Sequence, residues 1–283
     1  MDTLQERIQW LRKTRPVCKE ILDFYEKIKR EQERMKSSLN IEPIILKEGW
    51  QDLLTKEGFP LIQRDQFPLD VDSSVTLFQS LCRIAREANP YLSEQVGKIE
   101  EALAREKVDL KNLLKEAVKE RRAERIADQF GFDTKVFVYL VENSVKPSVE
   151  AGMKQIAKHL EPETGSKGIC PICGSLPSLS LFQEETGKRS LLCSYCGYRW
   201  SIERLICPYC GDKDPQSLGY FCAEGEESPR IDTCEKCRHY IKTLDLRKME
   251  VCDPWLEDLA TLHLDLLASQ KGYQNPVPNP WIP

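Results

Sequence analysis

CPICGSLPSLSLFQEETGKRSLLCSYCGYRWSIERLICPYCG, residues 170–211, carries three of the four CxxC pairs in the chain, and the fourth, CEKC, follows at 234–237. Two residues between cysteines let both sulfurs of one turn reach a single ion. Glycine follows the second cysteine at Gly174, Gly197 and Gly211, and suits a turn whose N–H groups point at thiolate sulfur. Nineteen residues separate Cys173 from Cys193, and 23 separate Cys210 from Cys234. Either gap holds one hairpin. Only ten residues lie between Cys196 and Cys207, enough for one connecting strand. The spacing therefore groups Cys170, Cys173, Cys193 and Cys196 as one site and Cys207, Cys210, Cys234 and Cys237 as a second. An interleaved pairing, first knuckle with third and second with fourth, is the alternative.

Four thiolates without histidine suit zinc or a single rubredoxin-type iron, and the donor set does not separate the two. Iron–sulfur clusters also take four cysteines, usually at other spacings. A closed four-thiolate site has no open position for water, which argues against hydrolytic zinc chemistry. A lone CxxC is often a redox pair. Four in this order, two of them CPxCG, point to metal instead. The other cysteines, Cys18, Cys82, Cys222 and Cys252, stand alone and read as small buried apolar residues. Among the three histidines, His239 follows Cys237 by two residues, and its simpler reading is a strand residue; His263 reads as a packed helix residue and His159 has no companion group.

Outward from these pairs the character changes. Residues 168–250 are dense in Gly, Pro and Cys, with β-like runs: a hairpin across LSLFQEETGKRSLLC turning at residues 184–187, an alternating strand in YRWSIERLI, and a second hairpin between Ser217 and Thr233. Upstream, apolar residues recur at helical spacing. Helices are expected from Leu4 to Pro16, through Ile21 and Phe24 to Met35, and from an N-cap among Asp72, Ser73 and Ser74 up to a stop at Pro90. More follow at 91–105, 109–129 and 134–160, with Gly131 between the last two and Pro147 splitting the final one. Residues 40–70 read as irregular with one short helix. A last helix runs from Trp255 to Gln270, before an extended proline-rich tail. The expected fold is α+β: an all-helical domain (1–165), a first ribbon (166–206), a second ribbon (207–250), and a C-terminal helix with its tail (251–283).

The 283 residues carry a net charge of −4, and no apolar run approaches the roughly 18 residues needed to span a bilayer. The N-terminal MDTLQERIQW lacks signal-peptide features, so a cytoplasmic protein without membrane insertion is expected. Between Gly168 and Glu250 there are 11 Lys/Arg and 12 Asp/Glu, which lacks the basic excess of a nucleic-acid-binding ribbon. There is no glycine-rich phosphate loop and no nucleophile–base constellation, so no catalytic residue is assigned and the chain reads as a non-enzyme.

CPICGSLPSLS (170–180), LLCSYCGYRWSIERLICPYCG (191–211), PRIDTCEKCRHYIKTLDL (229–246) and DLATLHLDLLASQKGY (258–273) with NPWIP resemble the FdhE-type formate dehydrogenase accessory protein family. The resemblance covers about the last 115 residues specifically. It implies a helical domain joined to two tandem rubredoxin-like, zinc-ribbon-like modules that bind iron or zinc through the eight knuckle cysteines. It also implies a chaperone-like factor for enzyme maturation that contacts the catalytic subunit of a formate dehydrogenase. Arg204, Arg230, Tyr240 and Lys242 flank the knuckles and are the candidate partner contacts. Two other classes fit the same cysteines: a rubredoxin-like electron carrier and a zinc-ribbon nucleic-acid binder.

Overall fold

The computed structural model describes residues 3–52, 54, 58–106, 108–119, 121–160, 168–183, 187–249, 253–277, 279 and 281. In chain order the helices are α1 (Leu4–Thr14), α2 (Lys19–Lys36), α3 (Trp50–Asp52), α4 (Val71–Ala88), α5 (Pro90–Arg105), α6 (Leu110–Ala117), α7 (Arg122–Phe130), α8 (Thr134–Ala157), α9 (Pro254–Leu259) and α10 (Leu262–Gln270). The strands are β1 (Pro177–Gln183), β2 (Lys188–Cys193), β3 (Arg199–Ile202), β4 (Leu218–Phe221), β5 (Arg230–Cys234) and β6 (Tyr240–Asp245). Contacts divide the chain into two compact units: residues 1–18, 46–61 and 157–283, and residues 19–45 and 62–156.

In the helical unit, α4 starts earlier than its sequence suggests. Asp70, not Asp72, is the cap: its carboxylate accepts from the Ser73 and Asn40 amides at 3.0 Å each. Burial alone would raise the Asp70 pKa, but these hydrogen bonds outweigh it and hold the carboxyl low. Pro90 does not merely end α4; it is the first residue of α5, where its missing N–H costs nothing, behind an Asn89 cap that accepts from Leu92 at 2.8 Å. The helix expected across 109–129 is two helices, because Arg121 takes a left-handed conformation, φ +56°.

The largest difference is at Pro147. It leaves α8 continuous over 24 residues. Proline removes the hydrogen bond to the carbonyl four residues back, here Asn143. That carbonyl is instead satisfied by the Gln32 side chain of α2, whose Nε2 donates at 2.9 Å and is buried. A turn later α8 needs glycine: a Cβ at Gly152 would stand 2.9 Å from Phe67 Cδ1 and 3.3 Å from Ile44 Cδ1.

In the other unit, the two ribbons lie side by side. They form one six-stranded sheet, ordered β3-β2-β1-β6-β5-β4. β1 pairs with β2, β2 with β3, β4 with β5 and β5 with β6, all antiparallel. The seam between the halves is parallel, β1 against β6, with Leu179 opposite Lys242 and Leu181 opposite Leu244. The β1–β2 turn expected at 184–187 lies, but for Gly187, outside the described residues, as does Cys252.

One face of this sheet packs on α10 through Ile231, Tyr240, Leu264 and Ala268. The helix expected from Trp255 to Gln270 breaks at Thr261, whose hydroxyl donates back to the Glu257 carbonyl at 2.7 Å. Lys242 projects from β6 onto this layer, almost wholly buried, with its Nζ 2.6 Å from Asp258 Oδ1 and 2.5 Å from Asp265 Oδ2. Residues 1–18 group with the sheet rather than with the other helices. The reason is a buried ion pair in which Arg7 of α1 reaches Glu257 of α9 through two bonds, 2.5 and 2.8 Å.

Two stability experiments follow from these contacts. Gln32→Leu strands the Asn143 carbonyl and is expected to cost about 1–3 kcal/mol in denaturant unfolding. In a Pro147→Ala background the restored amide can take that carbonyl, so the penalty of Gln32→Leu should shrink; equal penalties in both backgrounds would refute the link. Lys242→Met leaves Asp265 buried without its cation, with an expected loss of about 3–5 kcal/mol.

Candidate metal centres

Each CxxC pair forms the same turn. The first cysteine's amide donates to the carbonyl five residues on: Cys170 to Ser175 at 2.9 Å, Cys193 to Tyr198 at 2.9 Å, Cys207 to Asp212 at 2.8 Å and Cys234 to His239 at 3.0 Å. The residue after the second cysteine is left-handed in all four. Gly174, Gly197 and Gly211 meet that requirement without steric cost, at φ +73°, +75° and +74°. The fourth knuckle has no glycine. Arg238 takes φ +59° instead, held by stacking 4.3 Å over the Tyr273 ring, by donating to the Lys271 carbonyl at 3.0 Å and by pairing with Glu235. That device is invisible in the CEKCR spelling.

The turns bring the sulfurs together in the pairing expected from the hairpin gaps, first knuckle with second and third with fourth. Cys170, Cys173, Cys193 and Cys196 form one group, and Cys207, Cys210, Cys234 and Cys237 the other, with all Sγ atoms of a group within 4.8 Å of one another. Individual Sγ–Sγ separations are 3.7 Å for Cys170–Cys196, 3.4 Å for Cys173–Cys193 and 3.7 Å for both Cys207–Cys237 and Cys210–Cys234. Four sulfurs at about 2.3 Å from a tetrahedral centre would lie roughly 3.8 Å apart, so both groups fit one divalent ion each. The chemistry of the donors agrees. Burial pushes the Cys170 and Cys196 thiols well above the ordinary range, while hydrogen bonds from Cys170, Cys193 and Cys196 hold Cys173 low. A dication replaces those shared protons and lets all four ionise. The Cys196 amide already points at Cys193 Sγ, 3.4 Å away.

The two groups differ in exposure. All four cysteines of the first are buried, whereas in the second Cys210 is exposed and Cys237 partly so. Because β1 and β6 run parallel, both groups sit at the same end of the sheet, next to the starts of those two strands. Tyr209, inside the third knuckle, ties that end together by donating its hydroxyl to the Pro177 carbonyl at 3.1 Å. His239 is in neither group; its ring meets Tyr209 edge-on, 5.6 Å between centroids. Cys82 is buried, and Cys222 faces the Glu227 carbonyl at 3.7 Å rather than a metal group.

The four candidate partner contacts separate. Tyr240 and Lys242 lie on the α10 side and are buried, Tyr240 donating to Asp265 at 2.9 Å, so neither presents a surface to a partner. Burial would lower the Lys242 pKa, but Asp258 and Asp265 outweigh it and hold the amine above its ordinary value. Arg230, which precedes Ile231 in β5, points to the opposite face, and Arg204 lies exposed in the segment after β3. Among the described residues no helix is long and apolar enough to cross a membrane.

The profile described as "FdhE, central domain" matches residues 169–204, and that described as "FdhE, C-terminal domain" matches 205–282. Together they cover both cysteine groups. Residues 169–282 are thus similar to the FdhE family. The chain is 41% identical over 116 residues to the FdhE homolog of Aquifex aeolicus, a match covering 40% of this chain and 41% of that one. The homolog from Haemophilus ducreyi is 26% identical over 234 residues, 81% of this chain and 72% of that one. The crystal structure of the FdhE protein from Pseudomonas aeruginosa shares the fold, with a TM-score of 0.69 at 23% identity, covering 97% of this chain and 92% of that one.

Metal analysis tests the two groups directly. The chain purified under reducing, metal-replete conditions is expected to hold two ions. Cys170→Ser or Cys193→Ser should empty the first site alone, and Cys207→Ser or Cys234→Ser the second alone. A chelator should strip the second site first, since Cys210 and in part Cys237 are open to solvent; simultaneous loss would contradict that asymmetry.

Proposed function

We propose that this protein is an accessory, chaperone-like factor for maturation of a formate dehydrogenase, which it binds through the catalytic subunit without turning over formate itself. The observation that carries the reading is the pair of closed four-thiolate groups in the region matched by both FdhE profiles. A four-coordinate thiolate centre leaves no position for substrate or water. Its contribution is to hold knuckles and strands in place, so that metal binding is folding free energy for this part of the chain. What such an assembly offers is a rigid surface.

A second reading, electron transfer through rubredoxin-type iron, is favoured by one feature: the exposed Cys210 thiolate brings the second centre to the surface. Metal content distinguishes the two, since a protein loaded with zinc in its host cannot carry electrons there. The accessory reading is tested by deleting the gene in its host and assaying formate oxidation. Loss of activity is expected, with rescue by the wild-type gene and not by a Cys207→Ser, Cys210→Ser double variant. The catalytic subunit should co-purify with the wild-type protein. Full activity in the deletion strain together with no co-purification would reject it.

A further inference from the structure

On the sheet face away from α10, a cavity of about 90 Å³ opens beside the second cysteine group and is lined by Arg189, Arg204, Leu205, Tyr220, Arg230 and Asp232, with Cys207 and Cys234 at its inner wall. Its three arginines differ in how far they are committed. Arg189, from β2, is buried and satisfied: it donates to Ser180 Oγ at 2.9 Å and to the Arg204 and Ile206 carbonyls at 3.2 and 2.8 Å, with Asp232 at 3.4 Å. It clamps the segment after β3 over the sheet and so fixes where Arg204 and Leu205 stand. Arg230 has its Nε 2.8 Å from Asp232 Oδ1, and its guanidinium is stacked 4.4 Å over Tyr220 and 4.8 Å over Phe182. Arg204 lies 5.4 Å over the same Phe182 ring and has no acidic partner among the described residues.

Stacking on an aromatic face holds a guanidinium flat while its edge donors stay free, which is the presentation that suits a carboxylate. Asp232 is the one carboxylate among the lining residues, and it lies beside Arg189 and Arg230, which leaves Arg204 as the lining cation that no carboxylate among the described residues meets. Next to it lie two of the few large apolar side chains that solvent reaches, Leu205 at 64% and Tyr220 at 65% exposure. Tyr, Arg and an apolar neighbour are the composition of a binding hot spot. β4, which carries Tyr220, is also the last strand of the sheet among the described residues, the position at which an extended chain can add.

We propose that this cavity is a docking site for an extended acidic segment of a partner protein, its carboxylate held between Arg204 and Arg230 and its apolar neighbours covering Leu205 and Tyr220. A free oxyanion does not meet the same features: two rim guanidiniums in water give a screened, weak attraction, and the exposed leucine and tyrosine would stay wet. A nucleic acid would need a longer run of free cations than this near-neutral region carries. The proposal takes from the accessory reading only that the partner is a protein.

An immobilised array of hexapeptides, with Glu or Gln at each position among neutral and apolar residues, is the probe, applied with the intact metal-loaded chain. Retention should require Glu next to an apolar residue and should fall at least tenfold for Arg204→Gln and for Arg204→Gln, Arg230→Gln, with two metal ions and an unchanged melting temperature. Arg204→Gln serves alone if the double variant is unstable, because Arg204 is exposed and meets no carboxylate among the described residues. Equal retention of the wild type and Arg204→Gln, retention indifferent to Glu versus Gln, or displacement by millimolar inorganic phosphate or by an oligonucleotide would overturn the site. Host complementation separates this from the preceding section. If the deletion abolishes formate oxidation but Arg204→Gln rescues fully, the docking site falls and the accessory function stands. If Arg204-dependent peptide binding holds while the deletion has no effect on formate oxidation, the site stands and the accessory function falls.

Discussion

Buried thiolate charge is the constraint from which the sheet unit is built. Four sulfurs packed within 4.8 Å cannot all ionise against one another without a cation at their centre, and cannot leave it once the cation is bound. That requirement fixes two turns at a time, and each pair of turns closes a hairpin. The hairpins are short, with strands of four to seven residues, and a two-stranded unit of that size is marginal by itself. Their alternatives are to be held by metal at one end, to join into a larger sheet, or both. Here both occur.

The joining is the parallel seam between β1 and β6, and it has a directional consequence. Parallel strands start at the same edge, so both metal groups lie at one end of the sheet, and Tyr209 in one knuckle reaches Pro177 beside the other. On each face a single long cation from the sheet then fixes what lies over it. Lys242 of β6 holds α9 and α10 through Asp258 and Asp265. Arg189 of β2 holds the segment after β3 through two carbonyls. Buried cations of this kind carry little net stability compared with apolar replacements, but they specify one arrangement, since each is tolerable only with its partners in place.

This division bears on function. The α10 face is closed: its polar groups are mutually satisfied and its apolar residues covered. The opposite face is where Arg204 stands without a carboxylate among the described residues, where Leu205 and Tyr220 meet solvent, and where the more open sulfur group lies. Four-sulfur groups that close on an ion leave no free coordination position, so that surface is the part of the sheet unit best suited to recognition.

The cysteine spelling favoured the grouping of the eight sulfurs that the structure shows, because a CxxC turn is local and hairpin length is read by counting residues, and the fold then chose it over the interleaved pairing. The same locality made the helices legible where periodicity was strong. What sequence could not supply were the interactions that cross long separations. Pro147 was read as a break because its compensating donor, Gln32, lies 111 residues from the freed carbonyl. Tyr240 and Lys242 were read as candidate partner contacts because they flank a knuckle, whereas β6 is central in the sheet and buried on both faces, with its lysine neutralised by two aspartates from α9 and α10. The tandem ribbons were legible, but nothing local encodes the β1–β6 seam that joins them into one sheet. Parallel pairing joins residues some 60 positions apart, Leu179 with Lys242, and is selected by the packing of two whole hairpins, not by any turn between them.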